Sequence, residues 1–327
     1  MTTPEISVIM PAWNRAGYLP LAIQSVAEQT VAARLEVVVA DDASTDDTAE
    51  VVRKLTDRWR ERLRITYLAL PKGGVCAARN AALAASRTPL VAFLDSDDVW
   101  EPTKLEAQVA LLATDVGVVH TNFRYVDAAG RFTDGGGQRP NNPARGACLP
   151  ALLAEDTVVF SSVLMRREVI DRAAKDEPHG LPFDPAWVCG EDYDLLLRAA
   201  RLTGFGYAAD ALARYRVHPE QTGMANLPRV FKYHCQVQLD FNTRWGAACG
   251  FPPQRGQDAA REFLFGRAES LFWQREVDVL QQVCRVADDL QLSDARFTHL
   301  LRRANRPRWM YRVKDTLDSL YQRLASR

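Results

Sequence analysis

The sequence predicts an α/β fold with a mostly parallel, doubly wound sheet and a helical C-terminal appendage, on three observations. Apolar runs of five or six residues alternate with amphipathic stretches over the first hundred residues, and the runs break off into turns rich in Asp, Ser and Gly. Beyond residue 227 apolar side chains recur only at helical spacing.

Residues 6–10 (ISVIM) are a short β-branched run ending at Pro11. Residues 17–28 follow with apolar spacing at Leu19, Ala22, Ile23 and Val26, a strand and then a helix. Residues 35–40 (LEVVVA) repeat the pattern as a second buried strand, broken by an acidic turn from Asp41 to Asp47. Ser44 and Asp47 have capping-box spacing, and Val52, Leu55, Trp59 and Leu63 mark one face of the next helix. Residues 65–69 form a third strand. Lys72, Gly73 and Gly74 make the next turn and open a helix, CAARNAALAAS, whose alanines permit close packing on the sheet. Residues 90–94 (LVAFL) lack a helical period and read as a fourth buried strand. Right-handed crossovers place the helices on the sheet faces, and ligands of such sheets collect at the carboxyl ends of the strands, where these polar turns fall.

Past residue 101 the alternation stops. A helix is expected over 102–113 and a strand over 116–126 (VGVVHTNFRYV). Residues 133–146 hold four glycines, two prolines and two asparagines and predict a mobile loop or lid. A strand follows over 158–165, a helix from Glu191 through Arg201, and a strand pair over 205–217. From 302 to 327 eight basic residues stand against Asp315 and Asp318, a net +6. Met310, Val313, Leu317, Leu320, Tyr321 and Leu324 are helically spaced along this tail. Such a helix suits docking on the rest of the chain or on a second copy in a homodimer first, and an anionic membrane surface second.

The 327 residues are 47% hydrophobic and 25% charged, within the globular range. Lys plus Arg (41) balances Asp plus Glu (41), which gives no argument for a nucleic-acid partner. Six scattered cysteines without a CxxC pair favour free thiols in a reducing cytosol. No secretory leader and no bilayer-spanning apolar run is visible, so the expected location is cytoplasmic, with any membrane contact peripheral.

Residues 95–98 (DSDD) carry the chemistry. Three carboxylates at one strand end repel one another unless a cation is shared, and hard divalent ions take such oxygen ligands. Asp and Ser also favour turns and helix caps, and Asp98 suits that role equally well.

Taken with their order, SVIMPAWNRAGYLPLAIQSVAEQT, VVVADDASTDDT, GGVCAARNAAL, FLDSDDVWEP and CGEDYDLLLR resemble the motifs of a family 2 glycosyltransferase of the GT-A fold, over about residues 6–222. The resemblance implies a catalytic unit at 1–222, with a nucleotide-binding half at 1–100 and an acceptor-binding half at 101–222, and a helical region at 223–327. It implies that Pro11, Ala12 and Trp13 line the base pocket, with Asp41 or Asp42 accepting a hydrogen bond from the base. An aromatic face and a carboxylate suit a base and its imide N–H. It implies Asp95 and Ser96 as donor contacts, with Asp95 also a candidate metal ligand. Asp97 would be the direct ligand of Mn2+ or Mg2+, and His218 would close over the diphosphate or ligate further. Arg79 could reach phosphate or base, or form a helix-surface ion pair. Lys72 stands where the family often has a polar amide. Asp192 is implied as the base that deprotonates the acceptor, with Glu191 orienting it or binding acceptor hydroxyls.

The function so implied is inverting transfer from a UDP- or dTDP-linked sugar to a glycan, lipid-linked or protein acceptor in bacterial polysaccharide or glycoconjugate assembly. The rival readings are a catalytically degenerate scaffold and a sugar nucleotidyltransferase. The latter lacks its glycine-rich first turn, since Pro11 to Arg15 holds no glycine.

Overall fold

A computed structural model describes residues 5–133, 143–219, 221 and 226–305. Most of the glycine-rich segment 133–146, and the basic tail from residue 306 on, lie outside the described residues.

Among the described residues one eight-stranded sheet runs in the order β3-β2-β1-β4-β7-β6-β8-β5. The strands are β1 (Glu5–Ala12), β2 (Arg34–Asp42), β3 (Arg64–Leu70), β4 (Leu90–Phe93), β5 (Val99–Trp100), β6 (Val116–Val126), β7 (Leu164–Arg166) and β8 (Gly204–Arg216). The first four named in the sheet order are parallel, joined through α1 (Leu19–Ala27), α2 (Thr48–Trp59) and α3 (Gly74–Ala85). β7 pairs antiparallel with β4 and β6, and β8 pairs parallel with β6. The parallel half is the predicted doubly wound unit. β1, β4 and most of β2 are buried on both faces, which is why they read as unbroken apolar runs, while β3 at the sheet edge is only partly buried.

The register puts the expected turns together. Pro11 lies opposite Ala40 and Ala12 opposite Asp41, so the segments after β1 and β2 leave the sheet side by side. Asn14 Oδ1 accepts the Thr45 N–H at 2.8 Å, and Ser44 Oγ accepts the Asn14 N–H at 2.8 Å. Ser44 is thus spent on a cross-turn bond rather than on a capping box. Asp46, not Asp47, satisfies the start of α2, accepting from the Thr48 N–H (3.1 Å) and hydroxyl (2.6 Å).

Three further expectations change. The helix expected over 102–113 is shorter, α4 (Lys104–Ala110). The strand pair over 205–217 is the single strand β8, because the register against β6 jumps from Thr121–Ala208 to Asn122–Ala211 as a bulge rather than a turn. The strand over 158–165 is a 3-10 turn at Phe160–Ser162 followed by β7. That turn frees polar groups for tertiary work: Ser161 Oγ accepts the Asp95 N–H at 3.1 Å, and the Ser161 carbonyl accepts Trp100 Nε1–H at 2.6 Å.

The remaining helices are α5 (Leu149–Ala154), α6 (Arg167–Lys175), α7 (Glu191–Ala200), α8 (Leu227–Phe241), α9 (Arg255–Gln274), α10 (Val277–Asp289) and α11 (Ala295–Ala304). α8 to α11 close over a core of their own that includes Cys235, Leu264, Leu280 and Phe297. α8 also packs on α7, where the rings of Tyr193 and His234 stack with centroids 4.3 Å apart. No helix among the described residues is long and apolar enough to cross a membrane.

Candidate functional site

The first cluster forms where β1, β2 and β3 end. Trp13 is 49% exposed, and the Lys72 ammonium sits 3.6 Å from its ring centroid. Lys72 Nζ also pairs with Asp42 Oδ2 at 2.9 Å. Asp42 Oδ1 accepts the Gly73 and Gly74 N–H groups at 2.6 and 3.0 Å, so this carboxylate caps α3 rather than the helix that follows it in sequence. Burial pushes its carboxyl up, but the Gly73, Lys72 and Gly74 hydrogen bonds outweigh that and hold it below the usual carboxylate range. Asp41 accepts the Ser44 N–H at 2.9 Å and the Tyr67 hydroxyl at 2.5 Å. Burial and the bond to Asp41 push the Tyr67 phenol up to about 12. Asn14 and Ala43 adopt positive φ at the two strand ends, a strained conformation that recurs at binding sites.

The second cluster is the DSDD turn after β4, closed by the Asp98 N–H donating to the Asp95 carbonyl at 3.0 Å. Ser96 is buried within it. Asp97 Oδ2 lies 3.0 Å from His218 Nε2 and 3.5 Å from Arg15 Nε. Asp98 is buried and accepts the Arg216 N–H at 2.8 Å; burial, with Asp97 and Asp95 adding, drives its carboxyl well above the ordinary value. Arg216 Nε donates to the Asp97 carbonyl at 2.7 Å, and its Nη1 to the carbonyls of Asp127 and Ala128 at 3.1 Å each. Asp98 and Arg216 therefore anchor the end of β8, and His218 with it, against the turn. The cap expected for Asp98 on the next helix is replaced by this tertiary bond.

Two observations bear on a divalent ion. A carboxylate and an imidazole meet at Asp97 and His218, and His218 Nδ1 and Asp98 Oδ2 are buried without hydrogen-bond partners. The carboxylate oxygens suit Mn2+ or Mg2+, and an imidazole nitrogen beside them suits Mn2+ better than the harder Mg2+. Among the described residues no three carboxylate, thiol or imidazole groups close into a cage. Asp95, the third expected ligand, is instead engaged by Arg79 Nη2 at 2.7 Å.

The third cluster is the first turn of α7, entered through Gly190 at φ +85°. Glu191 is buried and accepts from Arg79 Nη1 at 2.5 Å; Asp192 beside it is half-buried. Burial pushes Glu191 up to about 7, with Asp192 adding and Arg79 opposing. Burial likewise raises Asp192, against the pull of Arg79 and its bond from the Tyr193 N–H. Asp156, just past α5, is raised to about 7 by burial and by Asp192.

Arg79 thus forms the ion pair of one of its readings, but within the fold rather than on a helix surface. It is 3% exposed, with one Nη on the DSDD turn and the other on the acidic turn of α7. The structure brings every expected site residue to the carboxyl-end rim of the sheet or to α7, which faces that rim across Arg79. Arg15, Tyr67, Asp156 and Ser161 were not anticipated. Arg15 had a signal in its place beside Trp13 on the first turn, whereas the others contact the site only through distant pairing.

Residues 7–172 match the family model described as "Glycosyl transferase family 2". The chain is 26% identical over 288 residues to a chondroitin synthase of Pasteurella multocida, which covers 86% of this chain but only 27% of that protein. It therefore spans about a quarter of that relative's length. Its fold is similar to S. aureus TarS 1–349 in complex with UDP-GlcNAc (TM-score 0.61, 18% identity, 91% of this chain and 84% of that one). It is also similar to the mannosyltransferase PcManGT of Pyrobaculum calidifontis in complex with GDP-Man and Mn2+ (TM-score 0.56, 20% identity, 92% and 79%).

Proposed function

The chain belongs to glycosyl transferase family 2, and from that premise we propose that it is an inverting, metal-dependent transferase moving a sugar from a UDP- or dTDP-linked donor to a hydroxyl of a glycan, lipid-linked or protein acceptor in bacterial polysaccharide or glycoconjugate assembly. The observation that carries this reading is the pair of ion contacts from Arg79 to Asp95 and Glu191, which sets the DSDD turn and the acidic turn of α7 against one another. A cation-and-diphosphate site and a general base must share one cleft for direct displacement, and such a pairing fits that need.

In this reading Trp13 stacks on the base, with Pro11 and Ala12 beneath it, while Asp41 and Asp42 supply acceptors and Lys72 a donor at its edge. Asp95 and Ser96 contact the donor's ribose and phosphate side. Asp97 and His218 would hold Mn2+ or Mg2+, whose remaining ligands come from the diphosphate, the usual way such ions are bound at phosphate sites. The ion would supply Lewis-acid stabilisation of the departing diphosphate. TarS and PcManGT, named as complexes with UDP-GlcNAc and with GDP-Man and Mn2+, support a nucleotide-sugar donor.

Asp192 takes the proton from the attacking hydroxyl. Burial raises its carboxyl toward working pH, which improves a base. One base and no enzyme nucleophile make the displacement inverting. The enzyme works in the cytoplasm, with residues 223–327 contacting the inner membrane face or a second copy; flotation on anionic liposomes, with and without residues 302–327, separates these.

The test is slow hydrolysis of a panel of nucleotide sugars, with and without Mn2+ or Mg2+, alongside calorimetry with UDP. Metal-dependent turnover of one donor is expected. Failure of UDP to bind with any metal favours the scaffold reading.

A further inference from the structure

We propose that α8 belongs to the catalytic unit, and that His234 on it is a positioning residue: its ring, held between Tyr193 and Phe263, fixes the turn that carries Glu191 and the candidate base Asp192. This deepens the reading above and rests on it.

The residues on either side of the Glu191–Asp192 pair both meet one face of α8. Before the pair stands Gly190, at φ +85°, where an added Cβ would lie 3.3 Å from Val237 Cγ2 and 3.9 Å from Tyr233 Cβ. After it stands Tyr193, whose ring stacks on His234 with centroids 4.3 Å apart and planes 5° apart. Tyr233, His234, Val237 and Gln238 have the spacing of a single helix face, so this grip is a property of α8 as a whole. Gln238 Nε2 donates to the Leu153 carbonyl at 2.8 Å, and the Tyr193 hydroxyl donates to the Leu152 and Leu153 carbonyls at 2.8 and 3.2 Å. The end of α5 therefore bonds α7 and α8 at once.

His234 is the middle of a column of rings. Behind it lies Phe263 of α9, with centroids 3.8 Å apart and planes 22° apart, and the Arg267 guanidinium carbon stands 5.0 Å from that ring. Phe231 meets Phe263 edge to face at 84°. Each ring is backed by the next, so Tyr193 cannot shift toward α8 without compressing the core of the C-terminal helices. The His234 Nε2 is buried and, among the described residues, has no hydrogen-bond partner. The contact thus uses the flat ring and not this nitrogen, and a phenylalanine can supply it.

The experiment compares His234→Ala, His234→Phe, Phe263→Leu and Asp192→Asn in the full chain. It measures kcat for hydrolysis of the panel nucleotide sugar that the wild type turns over fastest. It also measures amide hydrogen exchange over residues 190–196, where the Asp194 N–H donates to the Gly190 carbonyl at 2.9 Å. His234→Ala should lose about tenfold in kcat, within the roughly 100-fold that a misplacement of about 1 Å costs. Exchange over 190–196 should quicken while β1 and β2 exchange as in the wild type. His234→Phe should restore both readouts without lowering the denaturation midpoint, since it removes the unpartnered nitrogen. Phe263→Leu spares His234 but takes away the ring behind it, and the same two changes on a smaller scale keep the test decisive where His234→Ala unfolds. Wild-type kcat or wild-type exchange over 190–196 in both of these variants overturns the proposal, as does a His234→Phe variant no better than His234→Ala. If Asp192→Asn keeps full turnover, the assignment of the base has failed, and the exchange readout still decides the role of His234; if it is inactive while the His234 and Phe263 variants work normally, only the role of α8 has.

Discussion

Two acidic turns of this protein use the same residue type to opposite electrostatic ends. Asp42, after β2, receives two backbone N–H groups and a lysine, and is held ionised. Asp192, at the start of α7, is raised by burial, beside Glu191, which is pushed to about 7. The first turn favours the charged carboxylate; the second favours the protonated one. At Asp42 the N–H donors and the lysine together outweigh burial, whereas at Glu191 burial outweighs the one arginine it meets.

Asp192→Asn is the strongest way to break this contrast. It should cut transfer by about 10^3-fold while leaving UDP binding intact, read by kcat against calorimetry. Retained turnover would put the base elsewhere.

Next in size is the pH dependence. A base raised by burial is inactive when protonated, so kcat should climb with pH through a limb above the ordinary aspartate range. Stability runs the other way. Glu191 and Asp156 have folded values of about 7, above their unfolded ones, so their contribution is fully present below about pH 4 and lost as pH rises through about 7. Asp42, lowered in the folded state, contributes above its unfolded value and loses that contribution as pH falls through the folded one. Asp156→Asn should flatten the decline in chemical denaturation midpoint between about pH 4 and pH 7; an unchanged slope would remove Asp156 from the account.

Asp42→Asn should weaken UDP binding by about tenfold, one charge-assisted hydrogen bond's worth, with kcat at saturating donor unchanged. A fall in kcat instead would blur the division between the two turns.

The smallest effect concerns a buried charge outside both turns. Lys104 is fully buried against Trp100, with Nζ donating to Gln108 Oε1 at 2.6 Å, and burial drives its ammonium well below the ordinary value. Lys104→Met removes the desolvated ammonium but leaves the buried Gln108 Oε1 without this donor, so the two effects should nearly cancel, with stability changed by less than about 1 kcal/mol and activity unchanged. A loss of activity would tie this layer, through Trp100 and Ser161, to the DSDD turn.

Much of residues 1–100 was legible along the chain. Parallel strands inside a sheet are unbroken apolar runs, and their ends are marked by polar turns, so β1 to β4 and Pro11, Trp13, Asp42 and Asp97 stood out. Residues 101–222 were less legible because their pairings are distant: Phe160–Ser162 reads as strand but folds as a turn that serves Asp95, and β8 carries a bulge that reads as a hairpin. Arg79 shows the limit well. Its place in ARN was visible, but a guanidinium at the start of a helix gives no hint of which carboxylates will reach it.

The sequence by itself determined the alternation of strand and helix, the order of the polar turns and the residue types at the strand ends, because hydrophobic period and turn chemistry act over a few neighbours. Tertiary structure alone decided that Asp42 caps α3, that Asp98 holds the end of β8, and that Asp95 and Glu191 share one arginine. Those outcomes depend on burial and on which charges meet, and both arise only when segments 16 to 118 residues apart pack together.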